Sequence, residues 1–154
     1  MKILLATDHA GFEHKEALKV FLRELGHTVQ DEGAFALDPL DDYPDFVRMV
    51  AKQVSSDPEL RGIIFGASGQ GEAMTANRYQ HVRAAVYYGG NQELIKLSRE
   101  HNNANVLSIG AKFVTIEEMK EAVKLWLETS FSGDDRHIRR IMKIDNLIEE
   151  ENTF

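Results

Sequence analysis

Short apolar runs alternate with longer amphipathic segments along the chain. Five of the runs are compact and rich in aliphatic side chains, a pattern typical of buried β-strands. They are Ile3–Ala6, Thr28–Gln30, Gly62–Phe65, Arg83–Tyr88 and Asn105–Gly110. The second run is the least apolar, and the stretch 31–44 that follows it is rich in turn-forming residues.

Each predicted strand is followed by a segment with helical periodicity. After the first strand, apolar side chains recur on one face at Ala17, Leu18, Phe21, Leu22 and Leu25, until Gly26 ends the helix. Further helices are predicted from Pro44, over 72–78, over 92–100, from Thr115, and from residue 134 or 135 to Ile148. Glu118 lies three residues after Thr115, which predicts a capping box at that helix start.

The alternation of strands and helices predicts an α/β fold with a five-stranded, mainly parallel sheet. Parallel neighbours need a crossover connection, and the crossover helices then cover both faces of the sheet. A length of 154 residues fits one domain, which we expect to span residues 1–154. In such sheets the ligand site lies beyond the carboxyl ends of the strands, near a reversal of strand order.

Composition and charge exclude several kinds of chemistry. The chain has no cysteine, which excludes disulfides, thiolate metal sites and thiol nucleophiles. A formal net charge of −7 argues against nonspecific binding to nucleic acid or to anionic membranes. No apolar run is long enough to span a bilayer, and Asp8 comes too early for a signal peptide, so we expect a cytoplasmic protein. The histidine spacings match no metal-binding motif, and we expect no metal site.

The segment Gly66–Gly71, called the glycine loop below, is the most informative stretch. It lies at a strand-to-helix turn, where backbone N–H groups can converge on an anion or oxyanion. It matches neither a Walker A loop nor a dinucleotide fingerprint, and a turn that needs glycine only for packing is the alternative. Glu72 follows at once, either as a general base or as a carboxylate favoured by the helix dipole. Burial would raise the pKa of Glu72, whereas the helix N-terminus would lower it.

Two polar groups beside predicted strands are further candidates. Asp8 and His9 follow the first strand, where ligand-facing residues of such sheets lie, although a capping role is the alternative. His101 and Asn102 precede the fifth strand and are either functional or a polar helix exit. Sequence spacing alone does not decide between these interpretations.

The last helix carries the densest positive patch of this acidic chain. Arg136 and Arg140 are four residues apart, so they share a helix face and could both bind one phosphate group. A solvated helix end, with ion pairs to neighbouring acids, is the structural alternative.

Five fragments, in this order along the chain, carry a family resemblance. They are Thr7–Phe12, Asp42–Asp45, Gly66–Glu72 with Ala76-Asn77, Ser98–Val106 and Arg136–Arg140. Together they resemble the ribose-5-phosphate isomerase B family, which includes galactose-6-phosphate isomerase subunits, from Met1 to about Lys143. The resemblance implies a flavodoxin-like, or Rossmann-like, three-layer sandwich with an extra C-terminal helix. It also implies a homodimer, or a tetramer, with active sites shared between subunits, the last helix taking part in dimer contacts.

The implied activity is the interconversion of aldose and ketose phosphates without a metal or organic cofactor. The residues with an implied catalytic role are Asp8, Ser68, Glu72, His101 and Asn102. His101 takes part in opening the sugar ring, with Asp8 near the ring oxygens. Asn102 and the backbone amides of the glycine loop stabilise a cis-enediolate, and Ser68 assists proton movement among the hydroxyls.

Other residues are implied in holding the phosphorylated sugar. The glycine loop contributes the backbone of Gly66, Ala67, Gly69, Gln70 and Gly71. His9, Arg136 and Arg140 bind the phosphate, and Tyr43 lines the sugar pocket.

Two departures from the family pattern bear on the mechanism. Many members have a cysteine where this chain has Gly66, and that thiol abstracts the C2 proton. A second branch lacks the cysteine and has a glutamate after the loop, in the pattern Gly-x-Ser-Gly-x-Gly-Glu. This chain fits the second pattern, so the role of base falls on Glu72. Lys112 stands where such members tend to have a phosphate-binding arginine, and it keeps the charge without the bidentate fork.

The resulting hypothesis is isomerisation of ribose 5-phosphate and ribulose 5-phosphate. The same chemistry on a six-carbon or four-carbon aldose phosphate is an alternative. A second alternative is a non-catalytic flavodoxin-like regulatory module. A phospho-receiver would need an acceptor aspartate at the end of the third strand, where this chain has Gly66-Ala67-Ser68.

Overall fold

A five-stranded sheet with helices on both faces is the framework of the molecule. The computed structural model describes the backbone of residues 1–151 and the side chains of residues 1–147. The strands are β1 (Lys2–Thr7), β2 (Thr28–Asp31), β3 (Arg61–Gly66), β4 (Ala84–Tyr87) and β5 (Val106–Gly110). The α-helices are α1 (Phe12–Glu24), α2 (Tyr43–Ser56), α3 (Gln70–Ala76), α4 (Glu93–Glu100), α5 (Ile116–Glu128) and α6 (Asp135–Glu151), and a single 3₁₀ turn spans His9–Gly11.

The strand order is β2-β1-β3-β5-β4, and every neighbouring pair is parallel. On β1, Leu5 pairs with Asp31 of β2 on one side and with Ile63 of β3 on the other. The predicted α/β fold with a parallel sheet is therefore confirmed. The last two strands are exchanged relative to the flavodoxin order, a feature that the strand pattern in the sequence does not encode. The order reverses between β1 and β3, and this is the expected place for a ligand.

Alternate residues of the strands feed two separate cores, which makes the fold three layers. Ile3 and Leu5 pack with α1, α4 and α5, where Trp126 is fully buried. Leu4 and Ala6 face the opposite side and pack against α2 and α3. Because both faces of the central strands β1, β3 and β5 are covered, these strands read as continuous apolar runs, whereas the edge strand β2 is partly exposed.

Local signals in the sequence account for several element boundaries. The capping box is present, since Glu118 N–H donates to Thr115 Oγ1 at 3.1 Å and Thr115 N–H donates to Glu118 Oε2 at 2.7 Å. Past the end of α1, Gly26 adopts a φ of +87°, which favours glycine. The third helix ends at Ala76, two residues earlier than predicted. Within the described residues, none of the helices is long and apolar enough to cross a bilayer.

A buried lysine on the apolar face of α1 is an exception to the usual exposure of this residue type. Lys15 lies on the inner face of α1 and has no exposed surface. Its Nζ donates to both carboxylate oxygens of Asp31 at 2.6 Å, and Lys19 Nζ donates to the same carboxylate at 2.8 Å. Asp31 Oδ1 also accepts a hydrogen bond from Gly33 N–H at 3.0 Å. The network ties α1 to the segment that leaves β2.

Candidate active site

The carboxyl ends of β1 and β3 lie side by side and bring two candidate segments together. Gly11 allows this approach, because a Cβ there would lie 2.4 Å from the Cβ of Phe65 on β3. Asp8 caps the 3₁₀ turn by accepting a hydrogen bond from Ala10 N–H at 2.9 Å. The Asp8 side chain is buried at the start of this turn. The polar end of β1 is thus held against the start of the glycine loop.

The glycine loop is also fixed against the end of β5. Ser108 Oγ donates to the carbonyl oxygen of Gly69 at 2.6 Å, and the φ of Gly69 is +77°. Ala111 N–H donates to the carbonyl oxygen of Gly66 at 2.8 Å. Within the described part of the chain, the N–H groups of Ala67, Ser68 and Gly69 donate no hydrogen bond. A held loop with free donors is suited to binding an anion or a developing oxyanion.

The carboxylate of Glu72 occupies the space that a side chain at Gly66 would need. A Cβ built on Gly66 would lie 1.7 Å from Glu72 Oε1 and 2.1 Å from its Cδ. Glu72 belongs to the first turn of α3, and only 4% of the residue is exposed. Glycine at position 66 is therefore a steric requirement of this carboxylate position. The acid lies beside the glycine loop rather than on the outer face of the helix.

Burial is the main influence on the ionisation of Glu72. It raises the pKa of this carboxyl above its ordinary value, because the charged form loses water. The negative charge of nearby Asp8 raises the pKa further, whereas the backbone N–H of Glu72 lowers it. A carboxylate with a raised pKa is a stronger base than one in water, and the group is suited to general base catalysis.

Other predicted site residues surround the glycine loop at the same end of the sheet. Tyr43 begins α2 and places its hydroxyl against the first turn of α3, since a Cβ on Gly71 would lie 2.3 Å from it. Ser68 Oγ accepts a long hydrogen bond from Gln70 N–H at 3.3 Å. Lys112 is exposed, but its N–H donates to the Ala67 carbonyl oxygen at 3.1 Å, so its backbone adjoins the loop.

His9 is held by an aspartate that sequence reasoning missed. Asp41 Oδ1 accepts a hydrogen bond from His9 N–H at 2.9 Å and lies 2.7 Å from His9 Nδ1. This hydrogen bond with Asp41 raises the pKa of His9, burial lowers it, and the charges of Asp8 and Asp38 raise it further. Asp41 comes from the stretch 31–44, whose turn-rich composition gave no signal for a specific contact.

Asp8, His9 and Asp41 are the described residues whose ligand atoms come close enough for a metal ion. One such atom from each lies within 4.8 Å of the others. However, His9 Nδ1 is already at hydrogen-bond distance from the Asp41 carboxylate, and that pairing satisfies the nitrogen. We therefore interpret Asp41 and His9 as a hydrogen-bonded pair.

The remaining candidates lie at the opposite, amino end of the sheet. His101 ends α4, which runs back from the carboxyl end to the start of β5. Its ring stacks on His137 of α6, with ring centroids 4.2 Å apart and an interplanar angle of 16°. His137 is buried, and burial together with His101 lowers its pKa. Asn102 follows His101, and both Arg136 and Arg140 are exposed on α6.

The sequence-predicted residues thus form two groups that one copy of the chain keeps apart. The first, called the carboxyl-end cluster, comprises Asp8, His9, Tyr43, the glycine loop, Glu72 and Lys112. The second, called the amino-end cluster, comprises His101, Asn102, Arg136 and Arg140. One cluster lies at the carboxyl ends of the strands and the other at their amino ends, so the length of the sheet separates them.

Comparison with known proteins identifies the family. The model of the family described as Ribose/Galactose Isomerase matches residues 3–144. The chain belongs to this family. Over 153 residues it is 40% identical to ribose-5-phosphate isomerase B of Mycolicibacterium paratuberculosis, covering 99% of this chain and 93% of that one. The family is one of isomerases, and the chain is therefore an enzyme of the sugar isomerase class.

Solved structures agree with this assignment. Ribose-5-phosphate isomerase B from Mycoplasma genitalium, with bound ribulose-5-phosphate, is similar with a TM-score of 0.92, 36% identity and 97% coverage of both chains. The enzyme from Clostridium thermocellum has a TM-score of 0.90 and 37% identity, covering 99% of this chain and 100% of that one. The family resemblance predicted from the sequence fragments is thereby confirmed.

Proposed function

We propose that this protein interconverts ribose 5-phosphate and ribulose 5-phosphate through a cis-enediolate, with Glu72 as the base. The observation that carries the proposal is the buried Glu72 carboxylate in the space above Gly66, next to the free N–H groups of the glycine loop. The relatives named above support the substrate, since they are ribose-5-phosphate isomerases and one holds ribulose-5-phosphate.

In the proposed mechanism, Glu72 removes a proton from C2 of the open-chain aldose and returns it to C1. Between these steps the carbonyl oxygen carries negative charge, and the N–H groups of Ala67, Ser68 and Gly69 are free to donate to it. Removing one oxyanion donor costs about 2.7–4 kcal/mol in other enzymes, so these donors would make a large contribution. Ser68 would move protons between the hydroxyls as the double bond shifts.

The phosphate would be bound by cations at the edge of this pocket. His9 is half-buried beside Asp41, and Lys112 adjoins the glycine loop. Binding the phosphate away from the reacting carbons holds the open chain in position for proton transfer. No metal or organic cofactor takes part in this scheme.

We propose further that two copies of the chain complete each other's sites, and that residues 1–154 act as one isomerase domain. Ring opening by His101 and phosphate binding by Arg136 and Arg140 require these side chains near Glu72, yet they lie at the other end of the sheet. A homodimer that sets the amino-end cluster of one copy over the carboxyl-end cluster of the other would unite them. It would also bring the cations of α6 to a region with several carboxylates.

The direct test is turnover of ribose 5-phosphate by the purified protein, alongside six-carbon and four-carbon aldose phosphates. We expect Glu72→Gln to lower kcat by at least about 10²-fold while substrate still binds, because the amide keeps the shape but cannot take the proton. Glu121→Gln, on the exposed face of α5, is the matched control and should leave kcat unchanged. Absence of turnover and of solvent proton exchange with every sugar would refute the activity, and normal turnover by Glu72→Gln would refute the base.

A further inference from the structure

Asp41, in the loop between β2 and α2, contacts both the backbone and the ring of His9. One of its oxygens, Oδ1, meets both the backbone N–H of His9 at 2.9 Å and the ring Nδ1 at 2.7 Å. The Asp41 side chain is only 9% exposed, whereas that of His9 is 38% exposed. The second oxygen, Oδ2, is buried without a hydrogen-bond partner among the described residues. A carboxylate buried in this way needs a compensating positive charge nearby.

We propose that Asp41 is a positioning residue for phosphate binding: it fixes the ring of His9 so that Nε2–H is presented to the phosphate of the substrate. The proposal deepens the proposed function and rests on it. Asp41 itself does not touch the substrate in this scheme and acts only through His9.

Hydrogen-bond chemistry leads to this role. An ionised carboxylate can only accept, so the proton between the two groups sits on Nδ1 of His9. A neutral ring would then have a lone pair at Nε2, which repels phosphate oxygen. An imidazolium has a second N–H at Nε2, which donates to phosphate in a charge-assisted hydrogen bond.

The surrounding charges favour the imidazolium form. Asp8 on the same turn, and Asp38 and Asp41 on the loop between β2 and α2, are the charged groups that act on His9. Together they raise the pKa of His9, against the opposing effect of burial. A phosphate dianion close to these three carboxylates would be repelled unless His9 is positively charged. Asp41 would therefore couple the protonation of His9 to phosphate binding.

Two other roles for Asp41 give different results. A purely structural cap on His9 N–H would survive Asp41→Asn, because the amide oxygen can still accept both hydrogen bonds. A metal site built from Asp8, His9 and Asp41 would make activity depend on a divalent cation, and the wild type would bind that cation. The charge-neutral variant Asp41→Asn therefore distinguishes positioning through charge from both of these roles.

The experiment compares wild type, Asp41→Asn and the matched control Asp38→Asn, all treated with a chelator. We expect Asp41→Asn to raise KM for ribose 5-phosphate about tenfold near pH 8, with kcat within about twofold of wild type. The KM of this variant should also begin to rise at a lower pH than that of the wild type. The reason is that His9 loses its proton at a lower pH when the neighbouring carboxylate is absent. Asp38 does not have the direct contact that Asp41 makes with His9, so Asp38→Asn should shift the pH at which KM rises by much less.

A second measurement does not require turnover. Nuclear magnetic resonance of the His9 ring nitrogens reports the tautomer and the titration midpoint, with and without inorganic phosphate as probe. We expect phosphate to shift the His9 signals in the wild type and to do so more weakly in Asp41→Asn. An unchanged titration midpoint, an unchanged KM profile, or divalent cation binding that is lost in Asp41→Asn would each overturn the proposal. Wild-type turnover is recorded separately, so failure of the isomerase activity cannot be mistaken for failure of the Asp41 role.

Discussion

The two ends of the sheet differ in charge and in burial. At the carboxyl end, Asp8 and Glu72 are buried beside a loop with free N–H donors. At the amino end, Arg136 and Arg140 are exposed on α6 and His101 stacks on His137. The first end has buried carboxylates and a loop whose N–H groups are free but few cations, and the second has cations but no buried acid in its cluster. Neither end has the full set of groups that the proposed reaction needs.

Two buried cations, one near each end of the sheet, differ in their hydrogen-bond partners. Lys15 is paired with the Asp31 carboxylate at 2.6 Å. Arg99 Nη1 instead donates to neutral acceptors, the Ala104 carbonyl oxygen at 2.6 Å and Asn103 Oδ1 at 2.9 Å. Burial and neighbouring arginines lower the pKa of Arg99 to about 10. Lys15 thus has a charged partner, whereas Arg99 is held by neutral acceptors and lies among other arginines.

The largest effect that we predict concerns Lys15. Lys15→Ala leaves the Asp31 carboxylate with Lys19 as its remaining lysine partner, and breaking a buried ion pair costs about 3–5 kcal/mol. Urea unfolding of the variant measures the loss. The control Lys96→Ala removes a half-exposed ion pair with Glu93 and should cost less than about 0.5 kcal/mol. Equal stability of the two variants would show that the buried pair does not support the carboxyl end.

The next effect concerns the space shared by Gly66 and Glu72. In Gly66→Ala the new methyl group must displace the carboxylate, and a shift of about 1 Å can lower kcat about 10²-fold. The double variant Gly66→Ala with Glu72→Gln provides the control. Because both changes act on one carboxylate, it should be hardly less active than Glu72→Gln alone. Full activity of Gly66→Ala, or additive losses in the double variant, would contradict the steric argument.

A smaller effect is expected at the amino end. Arg140→Ala should raise KM for ribose 5-phosphate about tenfold, with kcat little changed, because it removes phosphate binding rather than chemistry. Arg139→Ala changes the adjacent exposed arginine and is the matched control. Steady-state kinetics of both variants with ribose 5-phosphate and with unphosphorylated ribose show whether a substitution weakens binding of the phosphate or of the sugar. Equal weakening for both sugars, or equal effects of both variants, would remove Arg140 from the phosphate site.

The smallest effect is a gain in stability. Because the pKa of Glu72 is raised in the folded state, the folded state binds this proton more tightly than the unfolded state does. The stability of the fold therefore falls as the pH rises from the pKa of the unfolded state toward that of the folded state. At neutral pH the contribution of this carboxyl to stability is therefore smaller than at low pH. Glu72→Gln should raise Tm at pH 7 by a few degrees, about 2–4 °C for each 1 kcal/mol, and by less near pH 4. A lower Tm at pH 7 would argue against the buried charge.

Much of the fold could be predicted because it follows from local pattern. The central strands are continuous apolar runs, and the helix at Thr115 begins with a capping box that needs only residues three positions apart. The position of β5 between β3 and β4 depends on pairing between distant segments, which periodicity does not report.

The candidate site shows the same division between local and distant contacts. Glu72 could be singled out because it adjoins the glycine loop in sequence. The contact of Asp41 with His9 spans 32 positions, and Lys15 is buried although lysine is a residue type that is almost always exposed. Such contacts depend on tertiary packing, and a single sequence gives little sign of them.

The most direct test of a site built from both ends is complementation between two inactive variants. Glu72→Gln alters only the carboxyl end, and His101→Ala alters only the amino end. In a mixed dimer, one site carries both changes and the other carries neither. Co-expressed in equal amounts, the two chains should regain about one quarter of wild-type kcat per chain, because half of the dimers are mixed and each has one intact site. If the mixture stays as inactive as its parents although the chains form mixed dimers, the two ends do not share a site.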